Sequence, residues 1–330
     1  MVVITGASAG VGRAVARLFA EKKARIALLA RGIKGLESTK KDVISRGGDA
    51  LVIKTDVADA DQVEAAAAQV MSEWGRIDKW INCAMVTVYS EFSEMTTQEF
   101  HRVTEVNYLG YVYGTHAALK QMLPANKGTI IQVGSSLAYR GIPVQSAYCG
   151  SKHAIKGFTE SLRCELLHKR SNVRITMVQL PALNTPQFSW AKNNMPKKCQ
   201  PIKPVYQPEV AAEAIYWAAY HKRRETIVGT TSLVAIWAEK LFPGIVDRYL
   251  VKTAYEAQQY DGENDLHKKS NLWEPVDETE DFGAHGDFDE GARNHSGQWI
   301  VSTMPGYLFY GVLTLTLGAG WLIRRALSQK

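Results

Sequence analysis

Residues 2–16 read VVITGASAGVGRAVA: an apolar run, a glycine-rich turn, and then apolar positions with helical spacing. Within the turn, Gly6 permits a tight bend, Gly10 lets the backbone approach a phosphate, and Gly12 allows close packing of helix on strand. The first amides of the helix would then face an anionic group, aided by the positive end of the helix dipole. A strand, a glycine-rich turn and a helix in this order predict a dinucleotide-binding unit.

The first 180 residues repeat this alternation of short apolar runs and helical patterns, which is typical of a parallel sheet covered by helices. The predicted strands are Val2–Thr5, Arg25–Ala30, Ala50–Lys54, Lys79–Asn82, Thr129–Val133 and Arg174–Val178. The predicted helices are Arg13–Glu21, Gly35–Ser45, Asp61–Trp74, Thr97–Met122, Ser151–His168 and 209–221, the last with Pro208 near its start. Six strands with helical crossovers predict an α/β fold, a doubly wound parallel sheet of the Rossmann type.

Composition excludes several other classes of protein. Of 330 residues, 46% are apolar and 22% charged, which is too apolar for a disordered chain. The four cysteines lack any C-x-x-C spacing, so we expect reduced thiols rather than a disulfide framework or a zinc ribbon. We interpret His101, His116, His153 and His168 as structural or surface residues, and no metal is expected. No secretory signal is expected either, because the first apolar run leads straight into the glycine-rich turn.

Charge is distributed unevenly along the chain. The formal net charge is +6, but residues 271–292 carry eight acidic side chains and no Lys or Arg. The remainder has 39 basic against 25 acidic side chains, a net charge of +14. Such an excess suits nucleic acid, anionic lipid or a polyphosphate cofactor. No zinc finger, aromatic RNA-binding pattern or basic helix is present, so we expect no nucleic-acid partner.

The organisation changes after about residue 255. Residues 1–255 are predicted to form the Rossmann domain with the cofactor and substrate sites, and 256–304 an acidic extension that is either wrapped on the domain or a disordered linker. Residues 305–323 contain no charged side chain, and as a helix would be about 28 Å long, close to the thickness of a bilayer core. We therefore predict a membrane helix, spanning or lying at the surface, followed by the basic tail 324–330, with the catalytic domain cytoplasmic.

The second predicted strand is followed by Arg31, 19 residues beyond Gly12. An acidic side chain at this position accepts hydrogen bonds from an adenosine ribose 2′-hydroxyl, whereas a guanidinium suits a 2′-phosphate. Arg13 lies close by in the glycine-rich turn. The two arginines predict NADP rather than NAD as the cofactor.

A tyrosine and a lysine, Tyr148 and Lys152, lie four residues apart and therefore on one face of a predicted helix. A phenol with its ordinary pKa near 10 transfers protons poorly at neutral pH, but a nearby ammonium lowers that pKa. Thirteen residues upstream, Ser135 follows the apolar run TIIQV, where its hydroxyl would face the crevice and bind a substrate carbonyl. Ser136 is the alternative to Ser135.

Together these features resemble the short-chain dehydrogenase/reductase family, in its shorter single-domain branch, over about residues 1–255. The resemblance rests on TGASAGVG, Asp56-Val57, Asn107, Ser135 and the Tyr148/Lys152 pair, in the family's order and spacing. It implies that Tyr148 is the acid/base, that Lys152 binds the nicotinamide ribose and lowers the tyrosine pKa, and that Ser135 orients the substrate carbonyl. Asn107 would hold a water that links Lys152 to solvent. The cofactor-binding residues that it implies are Gly6, Ser8, Gly10, Val11, Gly12, Arg31, Asp56 (at the adenine), Val57, Asn82, Ala84, Tyr148, Lys152 and Thr185.

Two departures from the family pattern leave the proton-transfer groups intact. Met85 replaces a glycine near the nicotinamide, and Ala182 replaces the glycine of a Pro-Gly turn upstream of Thr185, which would reach the carboxamide. Residues 187–206 would form the substrate lid. The sequence thus predicts an oxidoreductase that uses NADP to interconvert a small-molecule carbonyl and a secondary alcohol, on a lipophilic substrate. A cofactor-binding membrane scaffold without turnover and a sugar-nucleotide epimerase are the alternatives, and a homo-oligomer is left open.

Overall fold

The computed structural model describes residues 1–304. The strands are β1 (Val2–Thr5), β2 (Arg25–Ala30), β3 (Asp49–Lys54), β4 (Lys79–Asn82), β5 (Val88–Tyr89), β6 (Gly128–Ser135), β7 (Val173–Leu180), β8 (Lys192–Asn193), β9 (Lys197–Cys199), β10 (Glu225–Ile227) and β11 (Gln259–Glu263). The α-helices are α1 (Gly10–Glu21), α2 (Ile33–Ser45), α3 (Ala60–Trp74), α4 (Thr97–Thr104), α5 (Gly110–Met122), α6 (Ser146–His168), α7 (Gln187–Trp190), α8 (Pro208–Tyr220), α9 (Thr230–Leu241), α10 (Pro243–Ala257) and α11 (Gly297–Thr303).

A seven-stranded parallel sheet in the order β10-β7-β6-β4-β1-β2-β3 forms the centre of the molecule. Its strands are nearly continuous apolar runs because helices cover both faces, so every residue of β1 is buried. Helices α1, α2 and α8 pack on one face around Phe19 and Ile215, while α3, α5 and α6 pack on the other around Trp80. The predicted fold class, a doubly wound parallel sheet, is confirmed.

The six predicted strands are all present, each within two residues of its predicted bounds. The seventh, β10, has only three residues, which is too short to show a strand pattern in the sequence. Helix α6 begins at Ser146 rather than Ser151, so its first turn carries Tyr148.

The predicted helix Thr97–Met122 is interrupted by a π-helical turn over Glu105–Leu109, which separates α4 from α5. A π-helical turn inserts extra backbone into a helix and often marks a functional site. Asn107 lies at its centre and is fully buried. The hydrophobic pattern continues on both sides of the turn, so the sequence predicts one helix where the structure has a widened segment.

The extension is wrapped on the domain rather than detached from it. Strand β11 pairs with β9, and Trp299 of α11 is buried with its ring 5.5 Å from that of Trp217. Between them, residues 271–289, which we call the strap, cross the edge of the sheet where the strands end. The proposed domain boundary after residue 255 falls inside α10.

Within residues 1–304, no helix is both long and apolar enough to cross a membrane. The predicted membrane segment 305–323 and the tail 324–330 lie outside the described residues.

Candidate active site

A cavity of about 780 Å³ lies at the carboxyl ends of the central strands. The sheet order reverses between β1 and β4, and the cavity is located at this point, which is where doubly wound sheets bind their ligands. The glycine-rich turn forms one wall, and the ends of β2, β6 and β7 form others. Helices α9 and α10 and the strap complete the enclosure.

The glycine-rich turn has the shape that a dinucleotide needs. Gly6 adopts a left-handed φ of +69°, and a Cβ on Gly12 would lie 2.2 Å from the Gly6 carbonyl oxygen. Helix α1 begins at Gly10, and its N-cap residue Ala9 provides no side-chain hydrogen bond. The helix amides that follow Gly10 are therefore suited to a pyrophosphate. The Gly10 amide donates a hydrogen bond to the strap carbonyl of Gly283, at 3.1 Å.

Arg31 and Asp56 line the cavity at its end beside β2 and β3, where the adenosine of the cofactor is predicted to bind, and both side chains are engaged by other groups. Arg31 donates hydrogen bonds to the carbonyl oxygens of Trp273, at 2.7 Å, and Asn271. Asp56 accepts a hydrogen bond from Arg102 at 2.6 Å. Arg102 also donates to the strap at the Leu272 carbonyl, so one buried guanidinium joins the strap to the predicted adenine site.

Three of the four predicted catalytic residues, Ser135, Tyr148 and Lys152, line the cavity together. The Lys152 ammonium donates to the Val133 carbonyl at 2.9 Å and lies 5.6 Å from the centre of the Tyr148 ring. Burial lowers the pKa of Lys152 to about 8. Burial also raises the pKa of Tyr148, and a hydrogen bond with the Ser135 hydroxyl opposes that rise. The Ser135 hydroxyl thus favours the ionised form of the phenol, and the Lys152 ammonium lies close to its ring.

Asn107, the fourth predicted catalytic residue, does not line the cavity. Its amide group exchanges two hydrogen bonds with the backbone of Val86, at 2.8 and 2.9 Å, and donates to the Ser151 hydroxyl at 3.3 Å. These bonds fasten the π-helical turn to the segment after β4 that carries Ala84 and Met85. Its predicted role in holding a water stays a prediction.

Among the predicted cofactor-binding residues, only Asn82 is absent from the cavity lining. It accepts a hydrogen bond from the Trp80 indole at 2.8 Å and donates to Gln132 at 2.8 Å and Thr115 at 3.2 Å. The prediction that Asn82 contacts the cofactor stays a prediction. The Asn82 side chain points toward α5 on the face of the sheet, rather than toward the carboxyl edge where the cavity lies.

The part of the cavity beyond Tyr148 is lined mainly by apolar side chains. Phe188 and Trp190 come from the predicted lid, and Ala235, Ile245 and Tyr249 come from α9 and α10. The two helices are held in place by Arg140, which donates to Glu239 at 2.8 Å and Asp247 at 2.6 Å. The sequence prediction missed this helical pair, although its apolar residues recur at helical spacing and Pro243 marks the start of α10.

The strap was also missed as part of the site. Residues 271–292 stand out in the sequence only as an acidic stretch, and acidity alone does not show where a segment packs. In the structure Asp281 pairs with Arg13, and Glu278 pairs with Lys54 at 2.7 Å. Acidic side chains of the strap therefore form ion pairs with Arg13 and Lys54, which we call the basic rim of the cavity.

Comparison with known proteins agrees with this geometry. The model of the family described as short chain dehydrogenase matches residues 1–195. The chain belongs to the short-chain dehydrogenase family. The match includes the glycine-rich turn, Ser135 and the Tyr148/Lys152 pair, and ends before the strap and the helices α9 and α10. This short-chain dehydrogenase is accordingly an NAD(P)-dependent oxidoreductase that acts on a small molecule.

Individual relatives extend the similarity beyond the family match. The uncharacterized oxidoreductase YxnA of Bacillus subtilis is 33% identical over 276 residues, which cover 83% of this chain and 78% of that protein. The 3-dehydrosphinganine reductase of Danio rerio is 34% identical over 222 residues, covering 65% and 66%. An alcohol dehydrogenase from Thermococcus sibiricus, solved with 5-hydroxy-NADP, is 26% identical with a TM-score of 0.61, covering 69% of this chain and 94% of that one.

Proposed function

We propose that this enzyme uses NADP to interconvert a lipophilic carbonyl compound and the corresponding secondary alcohol. The observation that carries the proposal is the presence of Tyr148, Lys152 and Ser135 in one cavity with the glycine-rich turn. The nicotinamide, when bound, would exchange a hydride with the substrate carbon. Oxidation of NADPH by the purified protein, followed across a panel of short-chain and long-chain ketones, tests the proposal. Absence of turnover on the whole panel would favour a cofactor-binding scaffold.

Side chains of the cavity would bind the substrate carbonyl group and transfer the proton. Ser135 would donate a hydrogen bond to the carbonyl oxygen and hold it beside Tyr148. In reduction the Tyr148 hydroxyl would give its proton to that oxygen, and in oxidation the phenolate would take the proton back. The Lys152 ammonium would stabilise the phenolate and bind the nicotinamide ribose. Asn107 would keep the π-helical turn in place and hold a water toward Lys152.

Arg31 supports the choice of NADP, because it lines the cavity at the end of β2, where a guanidinium suits a 2′-phosphate. The complex of the Thermococcus sibiricus relative with 5-hydroxy-NADP agrees with this choice. Arg13 is bound to Asp42 and Asp281, so it contributes to the basic rim rather than offering a free guanidinium.

We expect native protein to bind NADPH more tightly than NADH, and Arg31→Asp to invert this order, because the new carboxylate repels a 2′-phosphate and accepts a ribose hydroxyl. Titration of both cofactors by quenching of tryptophan fluorescence measures the effect. Lys41→Asp, the same charge change at an exposed position of α2, is the control. Arg31 also binds the strap, so an equal loss of affinity for both cofactors in Arg31→Asp would show that its role is to hold the strap. Equal affinity of native protein for NADPH and NADH would refute the NADP preference.

A lipophilic substrate is supported by the surface around the cavity mouth. Ile245 and Tyr249 line the cavity and are also 64% exposed. Neighbouring exposed apolar residues of α9, α10 and the residue between them extend this surface: Val234, Trp237, Leu241, Phe242 and Val251. An exposed apolar patch of this kind, continuous with an apolar cavity, suits a substrate drawn from a lipid environment. The name of the Danio rerio relative, 3-dehydrosphinganine reductase, agrees with this proposal.

We further propose that the enzyme associates with a membrane through residues 305–323, with its catalytic domain on the cytoplasmic side. Full-length protein is expected to sediment with membranes and to resist extraction by high salt, because apolar burial is insensitive to ionic screening. A chain ending at Met304 should be soluble and still bind NADPH, since it keeps the strap and the buried Trp299.

Sedimentation of the two chains, with and without 1 M salt, is the measurement. A full-length variant with Leu313→Lys and Leu315→Lys keeps the length and loses the apolar character, so it should behave like the shortened chain. Recovery of the native full-length protein in the soluble fraction without detergent would reject membrane association.

A further inference from the structure

Asp277 is a buried carboxylate that the strap places at the adenosine end of the cavity. It is only 7% exposed, yet it lines the cavity. Its backbone carbonyl accepts a hydrogen bond from the Gly35 amide at 3.2 Å. A Cβ on Gly32 would lie 1.8 Å from one of its carboxylate oxygens, and a Cβ on Gly35 would lie 2.7 Å from the other. The carboxylate therefore packs directly on the start of α2. A side chain larger than glycine at position 32 or 35 would occupy the same space.

This carboxylate differs from the other acidic groups of the strap in its hydrogen bonding. Glu278 accepts from Lys54 and from the Ile33 amide, and Asp281 accepts from Arg13. Within residues 1–304, no side chain or amide donates a hydrogen bond to the Asp277 carboxylate, and no cation forms an ion pair with it. The nearby Arg31 guanidinium donates instead to the carbonyl groups of Asn271 and Trp273. Because Asp277 lines the cavity and its carboxylate has no protein donor, the carboxylate is placed to accept hydrogen bonds from a ligand bound there.

The fold indicates which part of a ligand would lie there. In a doubly wound sheet the adenosine ribose of a dinucleotide binds beside the end of β2, where an acidic side chain accepts from the ribose hydroxyls and a 2′-phosphate is disfavoured. In this chain β2 is followed by Arg31 and Gly32, neither of which is acidic. The carboxylate at this place comes from the opposite end of the sequence.

We propose that Asp277 is a specificity-determining residue, which accepts hydrogen bonds from the adenosine ribose and opposes a 2′-phosphate, so that it limits the preference for NADP that Arg31 provides. The inference rests on the proposed cofactor site, but it does not depend on which cofactor the native protein prefers. It assigns cofactor selection to two groups of opposite charge, one from the Rossmann domain and one from the strap.

The test compares Asp277→Asn with the native protein, both as full-length chains. The dissociation constants of NADPH and NADH are measured by fluorescence titration at constant ionic strength, and those of 2′,5′-ADP and 5′-AMP by displacement. We expect the ratio of affinities, NADPH over NADH, to rise by about tenfold in Asp277→Asn, because a repulsive charge beside the 2′-phosphate is removed. The fragments 2′,5′-ADP and 5′-AMP should show the same change in ratio.

Glu280→Gln is the matched control, since it removes one negative charge from an exposed position of the same strap. It should leave the ratio unchanged. An equal change of the affinity ratio in the two variants would overturn the proposal, because it would show an effect of net charge rather than of position. An equal gain in affinity for both cofactors in Asp277→Asn would also overturn it, because it would show that Asp277 acts only through the packing of the strap. Asp277→Ser provides the same comparison should the asparagine variant not fold. If native protein prefers NADH, only the proposed role of Arg31 is refuted. The role of Asp277 is tested by the change in the ratio of NADPH to NADH affinity between the variant and native protein.

Discussion

Tyr148→Phe is expected to lower turnover by about 10²–10⁴, the usual range for loss of a general acid/base, while cofactor affinity stays within a few-fold of native. The variant keeps the ring, which lies 5.6 Å from the Lys152 ammonium, and removes only the hydroxyl beside Ser135. Both the substrate carbonyl and the nicotinamide would still find their binding groups. The effect should therefore appear in the turnover number rather than in binding.

The measurement is steady-state oxidation of NADPH with a confirmed carbonyl substrate, together with a titration of NADPH binding. Tyr139→Phe is the matched control, because it removes a phenol hydroxyl that donates to Glu225 at 2.5 Å and does not line the cavity. The control should retain near-native turnover. Turnover of Tyr148→Phe close to that of the control would show that another group transfers the proton.

The sheet was predictable from the sequence, and the proposed catalytic residues could be located there, because their signals are local. Residues 2–16 contain a strand, the glycine-rich turn and the start of a helix within 15 residues. The strands read as apolar runs since both faces of the sheet are covered. Ser135 is the last residue of β6, and Tyr148 and Lys152 lie one turn apart in α6. Their spacing in the sequence therefore indicates the chemistry without any knowledge of distant contacts.

The adenosine side of the site depends on contacts between residues far apart in sequence. Trp273 and Asn271 bind Arg31 through their backbone carbonyl groups, which leave no trace in residue type. Asp277 occupies space that exists only because two residues at the start of α2, the N-cap Gly32 and Gly35 in the first turn, are glycines. The sequence shows an acidic segment and a basic remainder, but the pairing of the two requires the fold.

Local geometry also limits the prediction at Asn107 and Asn82. Both are polar residues at family positions, and both are fully buried in hydrogen-bonded networks that fix backbone segments beside the cavity. A pattern shows that an asparagine is present, but not whether its amide faces a ligand or the interior. The Asn82 side chain is directed from β4 toward α5, which the residue type alone does not show.

The largest effect on stability is expected at Lys152. Burial lowers its pKa from 10.5 to about 8, so the unfolded chain binds more protons than the folded protein between these two values. Stability therefore rises with pH across that window, and below pH 8 the buried ammonium lowers the free energy of unfolding by its full amount. A pKa difference of this size corresponds to about 3 kcal/mol. The proposed mechanism thus requires a charge that the folded state accommodates at a cost in stability.

Lys152→Met is expected to abolish most turnover, by about 10²-fold or more, and at the same time to raise the thermal midpoint at pH 7. The loss follows because the phenol of Tyr148 then has no cation to favour its ionised form. The gain is about 1–3 kcal/mol, since the buried charge disappears and only the hydrogen bonds of its ammonium are lost. The Val133 carbonyl still accepts from the Tyr111 hydroxyl at 3.0 Å, so it is not left without a donor.

Unfolding and turnover measured between pH 6 and pH 10.5 separate this account from simple damage to the fold. The stability difference between Lys152→Met and native protein should be constant below pH 8 and vanish toward pH 10.5, while native turnover falls as the pH rises through 8. Lys156→Met, one turn further along α6, is the control: its ammonium pairs with Glu160 at 2.9 Å and does not line the cavity, so both properties should change little. Two results would contradict a charged Lys152 in the folded protein: a Lys152→Met variant less stable than native protein, or a stability difference that does not depend on pH. Only a buried charge that titrates near pH 8 links the loss of turnover to a gain in stability.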